Sequence, residues 1–476
     1  MKKNCLNNNF FAAITFAATI LSVVFLQTTS LADVKLPDIF ASGMVLQRDL
    51  PVTVWGWADP QEKITVSINN QSQSVETNAD GHWQVKLNPL KSGEPTKLIV
   101  KGKNEITLDN ILIGEVWLCS GQSNMEWSMN KNSDSKADIP SVNNPNIRLF
   151  QVKHETADKP QDHLTPNIKW QPANPSSVTN FSSIGYYFGA KLSSELGGVP
   201  VGLIDSSWGG TRIEPWTTVD GFKSVPSLAK LADTKLPPNP KNQLPTSLYN
   251  KMIHPLVPFS IRGAIWYQGE ANLKDSSEYA QKMIALINGW RKVFNNDQLG
   301  FYYVQLAPFK YNDAPTFLPQ IWEAQADVEK QLTKTGMVVI NDIGNIGNIH
   351  PNNKKIVASR LADQALNKTY GKIDVVCESP QLDSIKIDGT SIIVSFKNVK
   401  ELKTHDGKTP SWFEIAGDDN EYNNAEAVIV DKTKVKLTSE KVAAPKNVRF
   451  AWNQIAEPNL QNEAGLQLGA FRTKKD

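Results

Sequence analysis

Between residues 106 and 371 short apolar strands alternate with amphipathic helices, and this alternation limits the possible folds more than any other feature of the 476-residue chain. The apolar runs at 115–119, 201–204, 261–267, 302–306 and 337–340 are too short for helices and rich in β-branched or aromatic residues. Between them, segments 184–196, 277–294, 318–332 and 351–370 read as helices. In the second of these, Met283, Ile284, Ile287 and Trp290 recur at helical spacing. Pro351 suits the first turn of the last helix and Gly371 its end. Strands joined through helices run parallel, so the pattern predicts an α/β domain whose parallel sheet is covered on both faces.

The flanks differ. Residues 52–55, 64–68 and 82–87 alternate apolar and polar side chains, with a turn at Asp80-Gly81. Similar short strands return at 391–396, 427–430 and 433–437. A chain of this length is expected to divide into two or three domains. The expected division is an N-terminal β-rich domain at 33–105, the α/β domain at 106–371 and a C-terminal β-rich domain at 372–476. Ahead of these, Lys2 and Lys3, an apolar run at 10–26 and the small-x-small triplet Ser30-Leu31-Ala32 read as a signal peptide at 1–32. The mature protein is therefore expected to be secreted or periplasmic, without stable membrane association. Cleavage would remove Cys5 and leave Cys119 and Cys377, expected as two buried free thiols. No His/Cys cluster offers a metal site. A net charge of +2, from 50 basic and 48 acidic residues, gives no footprint for nucleic acid.

Ligands of an open parallel sheet bind beyond the carboxyl ends of its strands. Those ends read Cys119-Ser120-Gly121-Gln122-Ser123-Asn124-Met125, Asp205-Ser206-Ser207-Trp208-Gly209-Gly210-Thr211, Tyr267-Gln268-Gly269-Glu270-Ala271-Asn272 and Asn341-Asp342-Ile343-Gly344, with His350 shortly after. A serine needs a base to take its proton and preorganised donors for the oxyanion. Ser123 is the candidate nucleophile and His350 the candidate base. The backbone of Ser123, Gly209 or Gly210 and the side-chain amide of Gln268 are candidate oxyanion donors. Ser120 is a rival that lies nearer the strand end. Of the six histidines, at 82, 154, 163, 254, 350 and 405, His254 is the competitor, but it precedes its strand. His154 and His163 sit in a polar stretch with no recognised strand end. A free-imidazole base predicts activity falling as pH drops through roughly 6.5.

Gly114-Glu115-Val116-Trp117 leading into Gly121-Gln122-Ser123-Asn124-Met125 resembles the first block of the sialate O-acetylesterase family, a branch of the SGNH hydrolases. Segments 206–211, 266–272 and 349–354 are similar to its later blocks, 44–48 to its opening strands and 459–472 to its C-terminal signature. The resemblance implies a flavodoxin-like hydrolase core, flanking β modules and no cofactor. It also implies removal of acetyl groups from sugar hydroxyls through a serine acyl-enzyme. One departure stands out: Gly347 and Asn348 occupy the positions where such hydrolases usually carry an aspartate that orients the histidine. Asp342, Glu270 or a backbone carbonyl between 344 and 349 remain to do so, with the carbonyl preferred. Gln122, Asn124, Trp208, Arg212 and Asn272 are candidate substrate contacts, Arg212 as partner for a sialate carboxylate. The substrate is left open between sialic acid and an acetylated polysaccharide such as xylan. A carbohydrate-binding protein on a decayed esterase core is the alternative, and the intact Ser123, Gln268 and His350 argue against it.

Overall fold

The computed structural model describes residues 33–474, so the expected signal peptide at 1–32 lies outside the described residues. At the centre is one 17-residue strand, β1 (Glu105–Gly121). Its first half is largely exposed and its second half is buried without interruption. This is the signature of a strand that leaves a half-solvated sheet and enters one covered on both faces. After β1 come a single helical turn, α1 (Ser123–Glu126), then β2 (Asn144–Gln151), β3 (Gln171–Ala173) and α2 (Ser183–Glu195). There follow β4 (Val201–Ser207), β5 (Gly263–Tyr267), α3 (Glu278–Val293), β6 (Gly300–Val304), α4 (Phe317–Gln331), β7 (Thr335–Val338) and α5 (Lys354–Lys368).

The sheet order is β7-β6-β5-β1-β4-β2-β3, and every pairing is parallel except that of β3. From β1 the chain goes out to β2 and β3, returns to place β4 between β1 and β2, and then crosses to β5 on the other side of β1. The switch point therefore lies at the carboxyl ends of β1, β4 and β5, where such sheets form a crevice. Helix α2 packs on α5, and α3 on α4. Trp117, Trp266, Trp290 and Trp322 are fully buried, so much of the tryptophan content serves the core.

The α/β core has the predicted strands: β5, β6 and β7 lie within two residues of the expected bounds, β4 runs on to Ser207, and β1 begins far earlier, at Glu105. Helix α5 begins at Lys354, later than Pro351, because the Asn353 side chain accepts the Ile356 N–H (3.1 Å) and caps it. Strands β2 and β3 were not foreseen. The first opens Asn144-Pro145-Asn146, which reads as a turn, and only the four residues 147–150 are buried.

The expected boundary at 105/106 falls at the start of β1. The first half of β1 pairs with Thr96–Lys101, which pairs with Lys63–Ile68, so the N-terminal strands continue into the catalytic sheet. The buried Glu115 carboxylate binds Arg48 Nε (2.6 Å), Arg262 Nε (2.9 Å) and Gln47 Nε2 (2.9 Å), tying that region to the base of the core. At the other end, residues after 371 form two four-stranded sheets. They meet the core at Asn341 Nδ2, which donates to Ala456 O (3.1 Å), at Phe309 N–H to Gln454 O (3.0 Å) and at the Arg472–Glu323 ion pair (3.2 Å). Cys119 and Cys377 are both free and buried.

Candidate active site

At the end of β1 the backbone passes so close to β5 that only glycine fits. Gly121 has φ +136°, and a Cβ there would stand 2.2 Å from the Tyr267 carbonyl oxygen. The Gln122 N–H donates to that carbonyl (2.9 Å), the Trp208 N–H donates to Gly121 O (3.0 Å), and the chain turns into α1. Ser123 is the first residue of α1 and is half-buried at the mouth of the crevice. Ser120 is fully buried, and its hydroxyl donates to Ser206 O (2.5 Å), which removes it as a rival.

His350 Nε2 lies 2.9 Å from Ser123 Oγ. Its ring stacks on Trp127 with centroids 4.1 Å apart and planes 20° from parallel. The His350 N–H donates to Asn348 Oδ1 (2.9 Å). Burial, with the ammonium groups of Lys354 and Lys131, lowers its pKa to about 4. The imidazole is thus neutral at ordinary pH and its ring can accept the serine proton.

Behind the dyad, Asn124 is 0% exposed. Its Nδ2 donates to Glu270 Oε1 (2.6 Å) and to the Ile349 carbonyl (3.0 Å), and its Oδ1 accepts from Lys354 Nζ. Burial lowers the Lys354 pKa to about 7, opposed by Glu270. The pKa of Glu270 is raised by burial, against hydrogen bonding from its own backbone and Asn124 and the Lys354 charge.

On the other side of the serine, a Cβ built on Gly209 would lie 3.3 Å from Ser123 Cβ, so this backbone passes directly beside the Ser123 side chain. Its N–H donates to Glu126 Oε2 (2.6 Å). The other Glu126 oxygen is 3.7 Å from His154 Nε2. His154 stacks on Trp208 (4.6 Å, 5°), and its Nε2 is 2.9 Å from Ser207 O. Beneath them the buried Asp205 accepts from Ser207 Oγ (2.6 Å), and burial raises its pKa to about 7.

Residues 113–367 match the family described as carbohydrate esterase, sialic acid-specific acetylesterase. The chain belongs to this family. The human sialate O-acetylesterase is 28% identical over 383 residues, 72% of each chain, and the mouse protein 26% over 437 residues, 78% of this chain and 80% of its own. A carbohydrate acetylesterase from Xanthomonas citri superposes with TM-score 0.86 and 37% identity, over 93% of this chain and 100% of that one. The SGNH-type core with β-rich regions at both ends is thereby shared with a solved carbohydrate esterase.

Several residues expected at the site of this esterase have other work. Gln268 Nε2 has two hydrogens and three acceptors around it, Asn272 Oδ1 (2.7 Å), Thr211 O (3.0 Å) and Gln122 Oε1 (3.1 Å), so it is not free as an oxyanion donor. Gln122 Oε1 also receives the Ala271 N–H (3.3 Å), and Asn272 is buried between Gln268, Glu214 and Asp275 with both its amide oxygen and nitrogen engaged. Asn124 is equally enclosed. Arg212 is bound by Glu214 (2.8 Å) and Asp275 (2.8 Å) beside the buried Lys282, which withdraws it from a sialate carboxylate. Gly210 is exposed, and a Cβ there would meet nothing within 4 Å.

Neither carboxylate reaches the imidazole. Asp342 is gripped by both Arg360 nitrogens (2.8 and 2.6 Å), Glu270 binds Asn124, and the Ile349 carbonyl faces Asn124. Among the described residues no group hydrogen-bonds His350 Nδ1, so the carbonyl partner preferred from sequence is not there. His254 instead contacts Tyr249 (3.2 Å) and Asp162 (3.6 Å). Of the substrate candidates, Trp208 alone remains half-exposed beside Gly209 without a competing polar bond. Sequence reasoning missed Trp127, Glu126, His154 and Lys354. The signal for His154 lay in recognising β2, whose carboxyl end places it, and that for Lys354 in the block at 349–354.

Proposed function

We propose that the protein is a secreted carbohydrate O-acetylesterase that removes acetyl groups from sugar hydroxyls through an acetyl-Ser123 intermediate. The observation that carries this reading is the 2.9 Å contact between Ser123 Oγ and the neutral His350 Nε2 at the switch point of the sheet. His350 takes the serine proton as Oγ attacks the acetyl carbonyl. The Ser123 and Gly209 N–H groups receive the oxyanion once Glu126 yields its bond to Gly209. The protonated His350 then gives its proton to the departing sugar oxygen. Water, deprotonated by the same imidazole, releases acetate and restores the serine. The names of the human and Xanthomonas relatives support an acetylated sugar as substrate. The charged start and apolar run of residues 1–32 support export.

With Arg212 committed, a neutral acetylated saccharide fits better than sialate. An O-acetylated sialic acid is the second reading, favoured by Lys131, an exposed cation 5.2 Å from the Trp127 ring centroid. Acetate release by the purified protein from acetylated xylan and from O-acetylated sialic acids separates the two. Failure on both, and on p-nitrophenyl acetate, would leave a carbohydrate-binding protein on an esterase core.

A further inference from the structure

Among the described residues the imidazole of His350 has no partner at Nδ1, and yet it is held. Trp127 supports its face, Asn348 Oδ1 accepts the backbone N–H of His350, and the preceding carbonyl, Ile349 O, accepts from Asn124 Nδ2 (3.0 Å). This last contact leads inward. Asn124 has both amide hydrogens and its oxygen engaged, so its rotation would break three bonds at once. It follows the nucleophile in the chain, while Lys354, the group on its oxygen, opens α5 four residues after the base. One side chain thus ties the segment carrying Ser123 to the segment carrying His350.

Lys354 is 1% exposed. A buried ammonium is costly, and an apolar side chain of similar volume would fill the space without that cost. Its counter-charge, Glu270, is reached through Asn124, and among the described residues Glu270 Oε2 is itself buried with no hydrogen-bond partner.

We propose that Lys354 is a positioning residue for His350: acting through Asn124, it fixes the Ile349 carbonyl and with it the imidazole, doing the orienting work of the carboxylate this chain lacks. The proposal rests on the reading of Ser123 and His350 as nucleophile and base. The charges that face His350 are Lys354 from α5, Lys131 beyond Trp127, and Glu270 through Asn124. Lys354 therefore acts in two ways: its hydrogen bond sets geometry, and its charge opposes protonation of the ring.

Lys354→Met keeps the volume and removes both donor and charge. We expect kcat on p-nitrophenyl acetate to fall on the order of 100-fold with KM nearly unchanged, the scale of a misplaced catalytic group. The His350 titration midpoint, read by NMR, should rise from about 4 towards the ordinary imidazole value of roughly 6.5. Should that variant not fold, Asn124→Ser breaks the tie and leaves the lysine. It should lower kcat by a similar factor while the midpoint stays low. Wild-type kcat in either folded variant overturns the proposal, as does an unmoved midpoint in Lys354→Met. The NMR midpoint needs no turnover, so an active Ser123→Ala enzyme would sink the dyad reading without touching this measurement.

Discussion

At the scale of single residues, Ser123 and His350 meet at 2.9 Å, while the polar side chains nearby are bonded largely to one another. Gln268, Asn272 and Arg212 carry donors that suit a sugar site, but a sequence does not say which acceptors will claim them. Here Glu214 and Asp275 claim Asn272 and Arg212, and Asn272, Thr211 and Gln122 claim Gln268. Ser123→Ala should lower kcat by on the order of 10⁴-fold or more with the fold intact. Ser120→Ala, which removes only a buried bond to Ser206 O, should keep kcat and cost about 1 kcal/mol in denaturant unfolding. The environment of His350 also changes the expected pH response. Its folded pKa of about 4 lies below the unfolded imidazole value, so the acid limb of kcat/KM should fall near pH 4, well below the roughly 6.5 of a free imidazole. Between those values the unfolded chain binds a proton that the native state does not. This histidine therefore adds a loss of stability as pH falls from roughly 6.5 to about 4. A rate profile with its acid midpoint above pH 6 would contradict the low value.

At the scale of elements, the alternating core was readable because its strands are continuously apolar and its helices have one apolar face. Strand β2 was hidden by Pro145 and two asparagines, and with it went His154 and the aromatic pair it makes with Trp208. Tertiary burial of residues 147–150 outweighs the local turn preference. The turn from β1 into α1 depends on Gly121 for two independent reasons, its positive φ and its approach to Tyr267 O. Gly121→Ala should therefore destabilise by more than about 2 kcal/mol, since strain at such a φ is joined by a backbone clash. A thermal melt within a degree or two of wild type would show that the crossing can relax.

At the scale of the whole molecule, composition and length suggested separate β domains at either end. The described residues form one compact unit, and the N-terminal strands and the α/β strands pair with successive parts of β1. No local pattern marks that continuity, because residues 105–110 alternate like any half-exposed strand and only pairing partners distant in sequence reveal their role. The strand consequently works as a ruler. The N-terminal strands grip its first half and the α/β strands its second, so Ser123 is indexed to a scaffold built largely outside the α/β core. Side chains alternate faces along a strand, and a shift of one residue turns all of them over. An extra residue within 106–112 should therefore abolish both activity and cooperative unfolding, whereas one beside Gly93, exposed with open space around it, should leave both near wild type. Length changes through evolution would then be confined to loops such as that one, with the count from Glu105 to Ser123 held constant.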